Sequence, residues 1–310
     1  MKEEAIEFEN EFVLQGTLTI PNNGNEPFPT VLILSGSGPL DRDGNGKQEL
    51  NLYNQLAQIF SDAGCATLRY DKRGVGNSGG STLATGMLDL MDDARAALHF
   101  LKQDKRIDQN RLFIAGHSEG TMLATSIAAD EDLAGVIFIS GAAQTLREAL
   151  TYQRELIAKE IKKKPGLSGR FMRLLNIHKL AQKQGDKFDE KMLNSKQDVI
   201  RHQFIKMPAK WFREHYQYDL HSDLEKIECP VLAIAGEKDV QSTPESVYNV
   251  VDYILTDLVE AKIIPNMNHM LRHQDEPIST LNLKKIYKRT GVLSPDLVHT
   301  LQDWIKRHVS

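Results

Sequence analysis

Six short apolar runs divide this chain, and most of them run into glycine. They are TVLILSG from Thr30, ATLRYD from Ala66, RLFIAGHS from Arg111, GVIFISG from Gly135, VLAIAGE from Val231 and AKIIP from Ala261. Each is continuous rather than alternating, as a parallel strand covered on both faces must be. Helical patterns lie between most of them. NLYNQLAQIFSDAG closes at Gly64, a good C-cap, and MLDLMDDARAALHFLKQ carries apolar residues at helical spacing. TPESVYNVVDYILTD and SPDLVHTLQDWIKRH each open with a capping hydroxyl followed by proline, at Thr243-Pro244 and Ser294-Pro295. This alternation predicts an α/β fold: a mostly parallel central sheet with helices on both faces. Ahead of it, AIEFENEFVLQGTLTIP alternates apolar and polar residues and predicts an antiparallel strand pair.

The alternation breaks from about Gln144 to Asp223, where no strand signal occurs. LREALTYQRELIAKEIKKK, a Pro165-Gly166 break, FMRLLNIHKLAQKQG and KMLNSKQDVIRHQFIKM all read as helices. A loop of that length has no place in a compact domain. The expectation is a core made of residues 1–143 and 224–310, with a helical lid, residues 144–223, inserted between two sheet strands. KKKPG at Lys162 reads as a solvated helix end.

Chemistry concentrates in GHSEG. A nucleophilic serine after a buried strand must stand on a sharp strand-to-helix turn, where glycines two residues away on either side remove side chains that would collide. Leu112 to Ala115 supply the strand and Gly120 to Ala129 the helix, which makes Ser118 the candidate nucleophile. A serine needs a base, and the base an orienting carboxylate, each just beyond a later strand in the order Ser, acid, His. VLAIAGEKDV offers Asp239, with Glu237 as competitor, and AKIIPNMNHML offers His269. The oxyanion requires two preset donors. The backbone amide of Glu119 is one; the other is expected from SGSGPLDRDGNG after the first apolar run, with Ser37 the first candidate and Gly38 the second. Trp211, Phe212, Tyr216 and Phe171 of the lid are candidates to line a substrate pocket. His117 is expected to point away from the site and pack. His273 is read as a surface residue. His178, His202, His215 and His221 of the lid, with His99, His299 and His308, are given surface or packing roles.

Charge and composition exclude other classes. Lys and Arg number 38 against 42 Asp and Glu, a net charge of −4, so no basic stripe calls for nucleic acid. No apolar run approaches the roughly 18 residues that span a bilayer, so no membrane partner is expected. MKEEAIEFENEF is acidic and lacks the apolar segment of a secretory signal, and cytoplasm is the expected compartment. Cys65 and Cys229 have no ligand spacing and read as reduced thiols. No histidine pair resembles a metal site, so neither metal nor other cofactor is expected. The oligomeric state is open.

On these residues the chain resembles the α/β-hydrolase superfamily over nearly its whole length. GHSEG, GEKD, NHM and YDKRGVGNSGG from Tyr70 carry the likeness. The last is similar to the superfamily's D-x-R-G-x-G-x-S turn, which implies that Arg73 ties down loops near the site. More narrowly, SGSGPLDRDGN, GHSEG and CPVLAIAGEKDVQ are similar to bacterial esterases related to cinnamoyl-ester hydrolases and to the bile-acid-CoA acyltransferase/thioesterase branch. The resemblance implies a serine carboxylesterase acting on a small-molecule ester, with Ser118, Asp239 and His269 as triad. A thioesterase, an acyltransferase or a peptidase would use the same three residues, and a non-catalytic ligand-binding member is the remaining class. Two departures stand out. Ser35-Gly36 replaces the frequent His-Gly, and some 25 residues, LRHQDEPISTLNLKKIYKRTGVL and its flanks, separate His269 from the last helix.

Overall fold

In the computed structural model of the chain, residues 1–254, 257, 259–287 and 291–309 are described. Strands β1 (Lys2–Glu9) and β2 (Val13–Ile20) form the expected antiparallel pair. Then follow β3 (Phe28–Leu34), α1 (Leu52–Asp62), β4 (Ala66–Tyr70), α2 (Met87–Gln103), β5 (Ile107–His117), α3 (Glu119–Ala128) and β6 (Gly135–Ile139). Next in the chain come α4 (Leu146–Lys163), α5 (Gly166–Leu174), α6 (Ile177–Leu193), β7 (Val199–His202), β8 (Ile205–Pro208), α7 (Ala209–Gln217) and α8 (Leu220–Leu224). The chain closes with β9 (Val231–Gly236), α9 (Ser246–Asn249), β10 (Val259–Ile264), α10 (Leu283–Ile286) and α11 (Pro295–His308).

Among the described residues, eight strands share one sheet in the order β1-β2-β4-β3-β5-β6-β9-β10. From β4 to β10 every pairing is parallel, while β2 meets β4 antiparallel. Strands β3, β4, β6 and β9 are buried along their whole length, which explains their continuous apolar runs. One core cluster joins Leu32, Leu68, Ile114 and Phe138 to α2, α3 and α8; the other joins Val31, Phe113, Ile137 and Ile234 to α1 and α11. Successive strand residues therefore feed opposite faces, and both faces carry helices. The strand order reverses at β3, which has β4 on one side and β5 on the other. A crevice opens at the carboxyl ends of two strands at such a reversal, so residues following β3 and β5 meet there.

Two elements differ from the sequence reading. KMLNSKQDVIRHQFIKM is not one helix: α6 ends at Leu193, and β7 pairs antiparallel with β8 as a hairpin turning at Gln203 and Phe204, both at positive φ. Isoleucines at 200 and 205 favour extended backbone, and cross-strand pairing overrides a helical spacing that is weak there. The Thr243-Pro244 opening does not start a helix either. α9 begins at Ser246 and runs four residues before a 3-10 turn, Val250–Asp252. Leu255 and Thr256 of that pattern lie outside the described residues. The second hydroxyl-proline opening does start its helix, with Ser294 ahead of Pro295 in α11.

Candidate active site

Ser118 stands between β5 and α3 at φ 54° and ψ −118°, a conformation costing about 1–3 kcal/mol that its surroundings must impose. Its amide donates to the Ile139 carbonyl at 2.9 Å, and its carbonyl accepts from the Thr121 hydroxyl at 2.7 Å. The flanking glycines are required by close approach. A Cβ at Gly116 would strike the Gly120 carbonyl, and a Cβ at Gly120 would strike the Leu34 carbonyl. With both bare, the strand, turn and helix interlock and the Ser118 hydroxyl is turned out above the sheet.

His269 Nε2 lies 3.1 Å from Ser118 Oγ, and its Nδ1 lies 2.7 Å from Asp239 Oδ2. Asp239 is fully buried. Its other oxygen accepts the amides of Gln241 and Ser242 at 2.8 and 3.0 Å, and the Ser242 hydroxyl donates to Oδ2 at 2.9 Å. Burial pushes this carboxyl up, but the charge and hydrogen bond of His269 and the two amides outweigh it, leaving Asp239 below the usual carboxylate range. Glu237, the competitor, is exposed and accepts the Asn266 amide at 2.9 Å.

His117 packs beneath these groups rather than against solvent. Its Nε2 donates to the backbone carbonyl of His269 at 3.0 Å, and its Nδ1 accepts from the Tyr53 hydroxyl at 3.1 Å. That hydroxyl accepts the Gly36 amide at 2.6 Å. Burial, aided by the neighbouring His269, drives the His117 imidazole down to about 3, which keeps it neutral, and the His269 carbonyl, able only to accept, puts its proton on Nε2. The sequence marked His117 as a packing residue but carried no sign of Tyr53.

The side chain of Glu119 is buried as well. Its Oε2 meets Lys72 Nζ at 2.9 Å, its Oε1 accepts from Trp211 Nε1, and His215 Nε2 lies 3.3 Å from Oε1 without hydrogen-bond alignment. Burial raises its pKa, yet the Lys72 ammonium and, after it, His215 bring it down to about 2. Lys72 also donates to the Gly36 carbonyl at 2.6 Å. Lys72 lies inside YDKRGVGNSGG, but the residue that the motif draws attention to is Arg73. Arg73 Nε meets Asp93 at 2.7 Å and its Nη1 meets Glu11 at 2.6 Å, joining the loop after β4 to α2 and to the β1–β2 turn.

Two cavities meet at the site. The smaller, about 80 Å³, is lined by Ser118, Ser37, Glu119, Gln144, Gln153, Gln241, Ser242 and Trp211 among others. The larger, about 390 Å³, shares Ser37, Glu119 and Trp211 with it and continues past Gly38, Val75, Leu83, Leu90, Met207 and Phe212. The structure thus brings Ser37, Gly38, Trp211 and Phe212 to the site. Phe171 is 61% exposed and lines neither cavity. Tyr216 turns its hydroxyl to Asp189 at 2.7 Å. His215 is buried and packs against Trp211, the packing rather than the surface role of the two expected for it. His202 packs edge-on against Phe188, His221 stacks on Tyr253, and His273 is exposed beside Asp275. The side chain of His178 lies outside the described residues. Among the described residues no cluster of His, Cys, Asp and Glu could hold a metal ion, and both cysteines are unpaired.

The stretch following His269 is tied to the site. The Met267–His273 bridge closes the His269 turn, and Lys238 Nζ donates to the Gln274 carbonyl at 2.5 Å. Further on, the hydroxyls of Ser279 and Thr280 donate to Glu160 of α4, each at 2.6 Å. Residues 288–290 lie outside the described residues.

A mostly parallel sheet with a strained serine on the turn after β5, and an acid and histidine after later strands, is the α/β-hydrolase architecture. The chain belongs to the Hydrolase_4 family, described as serine aminopeptidase, S33, which residues 46–276 match. It is 31% identical over 233 residues to the esterase EstD of Thermotoga maritima, a match covering 74% of this chain and 51% of that protein. The chain thus spans about half the length of that relative. The structure resembles Est1E of Butyrivibrio proteoclasticus, solved with ferulic acid, at a TM-score of 0.62 and 15% identity, covering 98% of this chain and 97% of that one. It also resembles the proline iminopeptidase of Mycobacterium smegmatis, at 0.61 and 16%, covering 98% of each chain.

Proposed function

We propose that this chain is a serine carboxylic-ester hydrolase. The observation that carries the reading is the relay Ser118–His269–Asp239, at 3.1 and 2.7 Å. In the reaction His269 Nε2 takes the hydroxyl proton as Ser118 Oγ attacks the acyl carbon. Asp239 holds the Nδ1–H tautomer and stabilises the imidazolium. The amides of Glu119 and Ser37 receive the oxyanion. His269 returns the proton to the leaving alcohol, then activates water to release the acid from Ser118.

The cavity linings favour an ester over an aminoacyl substrate. An aminopeptidase must receive an α-ammonium group. Among the residues lining either cavity the one carboxylate is Glu119, and Lys72 already neutralises it. An acyl-CoA would need free cations for its phosphates, and both Lys72 and Arg73 are engaged with carboxylates. Residues 144–223 serve as the lid in this reading. Contacts at both ends support it: Tyr152 and Gln153 of α4 donate to the carbonyls of Asp239 and Gln241, and Lys210 of α7 meets Asp89 at 2.6 Å. Two unpaired cysteines favour a reducing compartment such as the cytoplasm. No helix among the described residues is long and apolar enough to cross a membrane.

A fluorophosphonate probe with a panel of p-nitrophenyl esters, acyl-CoAs and aminoacyl amides tests the reading. Labelling that disappears in Ser118→Ala, together with turnover concentrated on the oxygen esters, is the expected result. Labelling that survives the substitution removes Ser118 as nucleophile.

A further inference from the structure

Glu119 contributes two groups to the site. Its amide is the oxyanion donor that follows the nucleophile; its carboxylate is a buried charge facing Lys72. Lys72 in turn bonds to the Gly36 carbonyl at 2.6 Å. That carbonyl belongs to the same peptide group as the Ser37 amide, the second oxyanion donor. In a trans peptide the C=O and N–H point in opposite directions. Anchoring the Gly36 oxygen on one side therefore aims the Ser37 N–H on the other. Just ahead of it, the Gly36 amide is held by the Tyr53 hydroxyl at 2.6 Å. The backbone here also passes close to the nucleophile, since a Cβ at Gly36 would lie 3.1 Å from Ser118 Cβ.

We propose that the buried Lys72–Glu119 ion pair braces the oxyanion hole, with both members acting as positioning residues. It links the residue bearing one donor to the peptide bearing the other through two consecutive contacts, 2.9 Å from Glu119 to Lys72 and 2.6 Å from Lys72 to the Gly36 oxygen, which restrains the two donors relative to each other. The cation on the Gly36 oxygen also polarises that peptide, which strengthens the Ser37 N–H as a donor. A buried ion pair is a poor way to gain stability, because desolvation consumes most of the attraction. Orientation of donors before charge develops is a use that repays it. The proposal rests on the ester-hydrolase reading of the site.

The test is the pair Lys72→Met with Glu119→Gln, made together. The double change leaves no unpaired buried charge, keeps the backbone amide of residue 119 and retains an acceptor for Trp211. With a p-nitrophenyl acetate substrate, kcat is expected to fall about 10- to 100-fold, with KM within about threefold. The affinity of an alkyl boronic acid, which mimics the tetrahedral adduct, should fall in parallel, while binding of the product acid stays level. A folded double variant with kcat within about threefold of wild type, or with the loss confined to KM, overturns the brace. Should the double variant fail to fold, Glu119→Gln alone carries the test: at least a fivefold loss in kcat at constant KM is expected, and no loss overturns the proposal. A wild-type chain that neither turns over esters nor reacts with the fluorophosphonate overturns the ester-hydrolase reading and the brace with it, whereas an active wild type with unaffected variants overturns the brace alone.

Discussion

His117 holds His269 by its backbone: the buried imidazole donates from Nε2 to the His269 carbonyl at 3.0 Å, one residue before the strained Ser118. His269 and Ser118, the proposed base and nucleophile, are thus joined twice, once through their side chains and once beneath them. His117→Phe keeps the bulk but removes that bond and leaves the Tyr53 hydroxyl without its acceptor. Stability should drop by about 1–3 kcal/mol, and kcat should fall about tenfold as the imidazole loses its preset position. Urea unfolding and ester kinetics on one preparation check both. A variant with wild-type kcat would show that the side-chain relay alone positions His269.

The same residue shapes acid stability. The His117 imidazole sits at about 3 in the folded chain against an ordinary 6.5. Between those values the unfolded chain binds a proton that the folded chain refuses, so stability falls as pH falls through that window, by at most about 1.4 kcal/mol per pH unit. Glu119 works in the same direction lower down. With a folded value of about 2 against 4.5, its contribution is whole above 4.5 and is lost as pH falls toward 2. Urea midpoints measured from pH 7 to 4.5 should decline in the wild type and flatten in His117→Gln. Parallel declines in the two proteins would remove His117 as the titrating group.

Asp239→Asn tests the orienting role proposed for that carboxylate. The amide is isosteric, but its NH2 group, turned to His269, would favour the wrong tautomer. A fall in kcat on the order of 10⁴ is expected, with the fold intact by circular dichroism. Glu237→Gln, made in parallel on the exposed competitor, should stay within about twofold of wild type. A comparable loss in the Glu237 variant would reassign the acid.

Gly120→Ala is expected to destabilise by about 3 kcal/mol or to prevent folding, because the new Cβ meets the Leu34 carbonyl across the elbow. A thermal melt of the purified variant decides the matter; a midpoint equal to wild type would mean that the turn has room to relax.

Trp211 forms part of the wall of both cavities. Trp211→Ala should merge them and shift preference toward longer acyl esters, raising the ratio of kcat/KM for octanoate over acetate about tenfold. An unchanged ratio would place the acyl chain elsewhere.

The strands and most of the helices were legible in the sequence, as were the strand-end positions of Ser118, Asp239 and His269, the residues proposed as the triad. Their signals are local: an apolar run buried on both faces, a glycine whose backbone neighbour leaves no room for a Cβ, a turn that follows each strand. The insertion was legible as a gap in the alternation, but its β7–β8 hairpin was not, because pairing between two four-residue strands leaves almost no periodicity. Position in space was decided by tertiary structure alone. Nothing in the sequence says that the Glu119 carboxylate faces Lys72, that Lys72 reaches the Gly36 carbonyl, or that Tyr53 and His117 run beneath the site. The two partners in each contact lie far apart along the chain, and nothing local distinguishes them until the reversal of strand order at β3 brings β3, β4 and β5 side by side. Burial then does the rest, since a charge or an imidazole shut away from water must find its partner among whatever the fold has placed within reach.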